Sequence, residues 1–244
     1  MKKKLLSIAL IAVLIAIVVS GTLAYFTTDD TVDNVFTIGS VLIEIWENGV
    51  ATDKDTVTFD KPLVPVVDTE DLTTDPGYAA KVVKVKNTGS NAAYIRTYIA
   101  VPKDLGEYLI LDTETENGWK KVAVSEATKD GVVYTVHTYD HMAAVDPDTF
   151  TAELLKGAYL ASTVDIKDNP DTASADLEFC KPNGDGTYTF SGFVAHNKVT
   201  DGYKTATVKI LVASQAIQAQ GFENGTATDA LDAGFGQGKN PWQA

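Results

Sequence analysis

The side chains best able to support catalysis or bind a transition metal are few: His137, His141, His196 and the single cysteine, Cys180. His137 and His141 stand in HTYDH, the spacing of an inverted zinc-protease motif, with Asp140 where a glutamate should be. Zinc needs two such imidazoles about one helical turn apart on one helix face. Val132, Tyr134, Val136 and Thr138 read instead as a strand, in which positions i and i+4 lie roughly 13 Å apart. Two ligands so placed cannot reach one ion. HExxH, a GxSxG elbow and a Walker-type glycine loop are all missing. With 33 acidic residues supplying accidental partners, neither Ser/His/Asp nor Cys/His can be assembled with any specificity. No catalytic residue, no bound cofactor and no enzyme activity are therefore expected. Nothing near Cys180 would lower its pKa, so it reads as a small buried residue. Glu70 with Asp71, and Glu114 with Glu116, read as solvated loop charges. Calcium is the better-founded metal: Asp165, Asp168, Asp171 and Asp176 share one stretch, DIKDNPDTASAD, which lacks the EF-hand spacing and its glycine.

The elements that must carry these residues begin after an export signal. Lys2, Lys3 and Lys4 precede Leu5 to Val19, in which Ser7 is the only polar residue, and small residues come next. That is the layout of a secretory signal, and the apolar run stops short of the ~20 residues a membrane-spanning helix needs. The small-x-small rule fits Thr22 and Ala24 and starts the mature chain at Tyr25, with cleavage before Phe26 as the alternative. Removing residues 1–24 leaves 220 of the 244, and because three lysines leave with them the net charge moves from −13 to −16. Such a surface repels nucleic acid and anionic lipid, so membrane contact is expected only through an uncleaved signal. One thiol gives an exported chain no disulfide framework, and core packing must supply the stability.

Strand signals dominate the mature chain. Val41, Ile43 and Ile45 alternate with Leu42, Glu44 and Trp46. Pro62 and Pro65 fit only an edge or an extended loop, and Asp68 to Gly77 is an acidic loop ending in a turn. Lys81 to Pro102 reads as two strands tightly joined through Asn87 to Asn91, with Arg96 between Tyr94 and Tyr98 in an aromatic-arginine surface ladder. Trp119 to Val124 and Val132 to Tyr139 form a second hairpin turned by Lys129, Asp130 and Gly131. Leu154 to Leu160, Leu177 to Cys180 and Thr187 to Val194 are further strands, and Thr205 to Gln218, apolar on both faces, is central. A short helix is predicted over Thr228 to Phe235 with Thr228 as its N-cap, and then a loose glycine-rich tail. The pattern is that of an all-β, antiparallel sandwich of the jelly-roll kind with one minor helix.

The run TLAYFTTDDTVDNVFTIGSVLIEIWE resembles the signal and first strand of exported proteins processed by the SipW-type signal peptidase, the family that includes TasA and camelysin. NTGSNAAYIRTYIAVP and ILVASQAIQAQGF are similar to that family's second and terminal signatures. The resemblance implies a secreted subunit of cell-surface or biofilm-matrix fibres whose partners are copies of itself or a related subunit and the SipW-type peptidase. In this division residues 1–24 are signal, 25–38 a donor strand, 39–236 the sandwich and 237–244 a flexible tail. Tyr25 or Phe26 would be the released end, and Phe26, Val32, Val35 and Phe36 the apolar anchors of the donated segment. The physics is general: a sandwich edge carries unpaired N–H and C=O groups that an added strand satisfies. The alternatives are a monomeric cell-surface binding module and an accessory fibre subunit. The metalloprotease label that some classifications attach to camelysin runs against the histidine geometry.

Overall fold

A computed structural model describes residues 27–30, 41–52, 56–58, 65–67, 71–72, 74–171, 177–197, 204–205, 208–222 and 225–243. The described residues form antiparallel sheets stacked about one core, with a single short helix. The first sheet runs β1 (Thr27–Asp30), β15 (Lys209–Gln218), β6 (Ala93–Pro102), β9 (Val132–His141), β8 (Trp119–Lys129), and β4 (Thr56–Thr58) also pairs with β15. The second runs β3 (Val50–Thr52), β2 (Ile43–Glu47), β5 (Ala79–Asn87), β10 (Leu155–Leu160), β7 (Leu109–Thr113). A third sheet holds β11 (Asp165–Asp168), β12 (Leu177–Pro182), β13 (Tyr188–Asn197) and β14 (Lys204–Thr205).

Alternation sets the core. Ile43 and Ile45 of β2, Val83 and Val85 of β5, Ile95, Ile99 and Val101 of β6, and Ile210 and Val212 of β15 meet in one cluster between the sheets. Trp119 closes it at one end, its indole N–H donating to the Ala152 carbonyl at 2.9 Å. The β8–β9 hairpin forms as the sequence predicts. Asp130 (φ 52°) and Gly131 (φ 80°) both take the left-handed conformation, which matches the twist of a two-residue hairpin turn.

The link between β5 and β6 differs from its sequence reading. The two strands do not pair: β5 lies between β2 and β10 in the second sheet, and β6 between β15 and β9 in the first. The intervening residues carry the chain from one layer to the other. Asn87, fully buried, pins this arch: its amide donates to the carbonyls of Asn91 and Val145, both at 2.8 Å, and its side-chain oxygen accepts from the Gly89 N–H. Two strands with one apolar face each can meet edge to edge or face to face, and their alternation is the same in both cases.

The first sheet is covered on both faces. Leu211 and Ala213 of β15 join Tyr98, Ala100, Tyr134 and Val136 on the side away from the main core, and Ile217 meets Ala230 and Leu231 of helix α1 (Ala227–Phe235). The cap of α1 is Thr226, not Thr228. The Thr226 hydroxyl accepts from the Asp229 N–H, and the Asp229 side chain reaches back to the Thr226 N–H. Thr228 already lies inside the first turn, too late for that exchange. Beyond the helix the glycine-rich segment is docked: Asn240 is buried and donates to the Ser125 hydroxyl, Gln243 donates to the Glu126 carbonyl, and Trp242 packs edge-on to Tyr98 with ring centroids 6.4 Å apart.

Candidate functional site

The outer edge of β15 is where the N-terminal region meets the folded domain. β15 pairs with β6 from Leu211↔Ala100 to Gln218↔Ala93. The Ala219 N–H donates to the Ala92 carbonyl at 2.9 Å, so these two form a hydrogen-bonded pair in continuation of that register. Hydrogen bonding alternates along an antiparallel ladder. The odd-numbered residues of β15 therefore address β6, and the even-numbered ones turn their N–H and C=O to the opposite edge. Two short strands share that edge: β4 pairs with Lys209 to Leu211, and β1 with Ser214 to Ile217. By the same parity, Thr28↔Ala216 and Asp30↔Ser214 are the pairs that exchange hydrogen bonds between β1 and β15. β1 is thus an edge element four residues long, joined to β2 through residues 31–42.

The opposite edge of this sheet is less receptive to an added strand. β8 carries Lys120, Lys121 and Lys129 and is broken by a bulge between Lys121 and Ala123. Charge and irregularity of this kind are the usual protection of an exposed edge. Of the segment read as a donor strand, only Thr27–Asp30 belongs to the described residues. The cleavage residues Thr22, Ala24 and Tyr25 and the anchors Phe26, Val32, Val35 and Phe36 lie outside them.

Arg96 corrects a second reading. It is not on a surface ladder but 1% exposed, beneath α1. Its Nε and Nη2 donate to the two Asp140 carboxylate oxygens at 2.6 and 2.9 Å, and Nη2 also donates to Asp232 of α1 at 2.7 Å. Arg96 and Asp140 face each other across β6 and β9. They form a non-hydrogen-bonded pair, the kind in which side chains come closest. The HTYDH aspartate is therefore committed to a buried ion pair, and the sequence signal that could have pointed to it was a lone arginine amid apolar strand residues, which requires a carboxylate partner once buried.

His137 and His141 share β9, four residues apart. His137 lies opposite Val124 and His141 opposite Trp119. The His141 Nδ1 contacts the Ala143 carbonyl at 2.8 Å, and burial lowers its pKa. Burial first, and the nearby Lys121 second, push the His137 pKa down to about 4. Asp165 and Asp168 sit on β11, Asp171 comes next in a turn, and Asp176 is outside the described residues. The Asp165 carboxylate is held by Lys167 at 2.9 Å, which keeps its pKa below the ordinary range. Among the described residues no three His, Cys, Asp or Glu side chains converge on a metal-sized site, and no helix is long and apolar enough to cross a membrane. Cys180 is buried, and burial raises its thiol pKa, with Asp165 adding to the effect.

No family model, no curated protein and no solved structure matches the chain.

Proposed function

We propose that this protein is a secreted structural subunit, built on a jelly-roll-type sandwich behind a cleaved signal peptide, that assembles into extracellular fibres by strand exchange at the outer edge of β15. In the assembled form β1 leaves its own domain and pairs with β15 of the next copy. The observation that carries the reading is the position of β1: a four-residue edge strand on the outer side of β15. Thr28↔Ala216 and Asp30↔Ser214 each exchange two ladder bonds, worth about 0.5–1.5 kcal/mol net apiece. A second copy offers the same edge in the same register, so exchange conserves those bonds, and protomer concentration and the strain of residues 31–42 set the balance. The strongly acidic surface keeps unassembled subunits apart until the strands engage.

The test is negative-stain microscopy of the chain beginning at Tyr25 beside the same chain with a blocking extension before Tyr25. Filaments from the free end alone are the expected result. Monodisperse particles in both samples would overturn self-assembly and leave the monomeric binding module or accessory subunit, in which β1 stays on its own β15.

A further inference from the structure

The sandwich is open along one side, where β7 is the free edge of the second sheet and β8 that of the first. Between them lies a cleft of about 290 Å³, walled by Val101, Leu109 and Leu111 and rimmed by Thr113, Lys121 and His137. The apolar wall belongs to the core itself, since Val101 and Leu109 are buried members of the main cluster and Leu111 packs against it. The rim is shaped by the β8 bulge: Lys121 lies opposite Tyr139, while Ala123, two residues on, lies opposite Thr138. Tyr139 points into the core, and directly opposed residues share a face. An edge-strand lysine is thereby turned toward the sandwich interior, the re-aiming that bulges produce.

Lys121 makes no ion pair among the described residues. Beside it His137 keeps Nδ1 buried with no hydrogen-bond partner among them, and its depressed pKa leaves the ring uncharged. The cleft therefore combines an apolar wall, a neutral polar ring and one uncompensated cation. An inward-pointing lysine also discourages edge pairing, but that role requires neither a cleft behind it nor an orphaned imidazole beside it.

We propose that this cleft binds a small aliphatic carboxylate, its tail against Val101, Leu109 and Leu111 and its carboxylate on the Lys121 ammonium. The volume is at the lower end for ligand pockets, ~300 Å³ and upward, which restricts the guest to a short tail. The chain has three histidines, so the His137 imidazole proton signal is resolvable by NMR once assigned with His137→Gln. The full chain is titrated with hexanoate and with hexan-1-ol, which has the same tail and no charge, and both titrations are repeated on Lys121→Met. Lys121 is exposed, so the variant keeps the fold, and an unchanged His141 signal verifies it. Hexanoate is expected to move the His137 signal saturably, with affinity falling roughly tenfold or more in Lys121→Met and for hexan-1-ol. A shift that does not saturate, equal binding of the alcohol, or undiminished binding by Lys121→Met would each overturn the assignment.

Discussion

Replacing Thr28 by proline perturbs β1 without touching β15. Thr28 pairs with Ala216, whose even position directs its backbone groups to the outer edge. Proline has no N–H, so the Ala216 carbonyl loses its donor, and Ala216 is fully buried. Leaving a buried acceptor unsatisfied costs about 1–3 kcal/mol, which weakens docking of β1 roughly 5- to 150-fold. Thr27→Pro is the matched control: Thr27 lies opposite Ile217, an odd position, so its N–H faces away from β15 while the proline imposes the same backbone restriction. Hydrogen exchange reads the result directly. In Thr28→Pro the amides of Ser214 and Ala216 should exchange faster by that factor, while Gln215 and Ile217, which donate to β6, stay protected. Thr27→Pro should leave all four near their original rates. Because strand exchange conserves these bonds, the self-docked and the exchanged forms lose the same one in Thr28→Pro, and the concentration needed for filaments should change little in either variant. Equal effects of the two prolines, or equal acceleration at odd and even positions of β15, would refute the parity on which the assignment of this edge rests.

Asp140→Ala leaves Arg96 buried with Asp232 as its one carboxylate partner and is expected to cost about 3–5 kcal/mol in urea unfolding. Arg96→Met with Asp140→Leu should be less destabilised than that single variant, because no fully buried charge is left stranded and Asp232, the carboxylate that loses its partner, is 26% exposed and reaches water. His137 titrates at about 4 when folded, against an ordinary 6.5. Between these values the unfolded chain takes up a proton that the folded chain refuses, so stability falls as pH falls, by at most about 1.4 kcal/mol per pH unit. Stability curves measured from pH 7 to pH 4 on His137→Gln should be flatter than those of the parent by that contribution. Thr226→Ala should lower stability by about 1 kcal/mol through loss of the cap, whereas Thr228→Ala should leave the cap intact, as thermal unfolding of the two will report.

What the sequence determined by itself was local. Alternation over Val41 to Trp46, Lys81 to Pro102 and Val132 to Tyr139 placed strands close to β2, β5, β6 and β9, because a half-buried strand imposes period two on its residues. Asp130-Gly131 named its hairpin because few residue pairs accept two left-handed conformations in succession. The distance between His137 and His141 came from strand geometry alone. Which strand neighbours which was decided only by the tertiary structure. The same alternation serves a hairpin or an arch, so β5 and β6 looked paired until Asn87 fixed them in different layers. Arg96 looked exposed because nothing in its own strand shows that α1, about 130 residues later, delivers Asp232 to cover it. The edge of β15 was equally hidden, since hydrogen-bond parity depends on the register with β6 and not on the identity of any residue in β15.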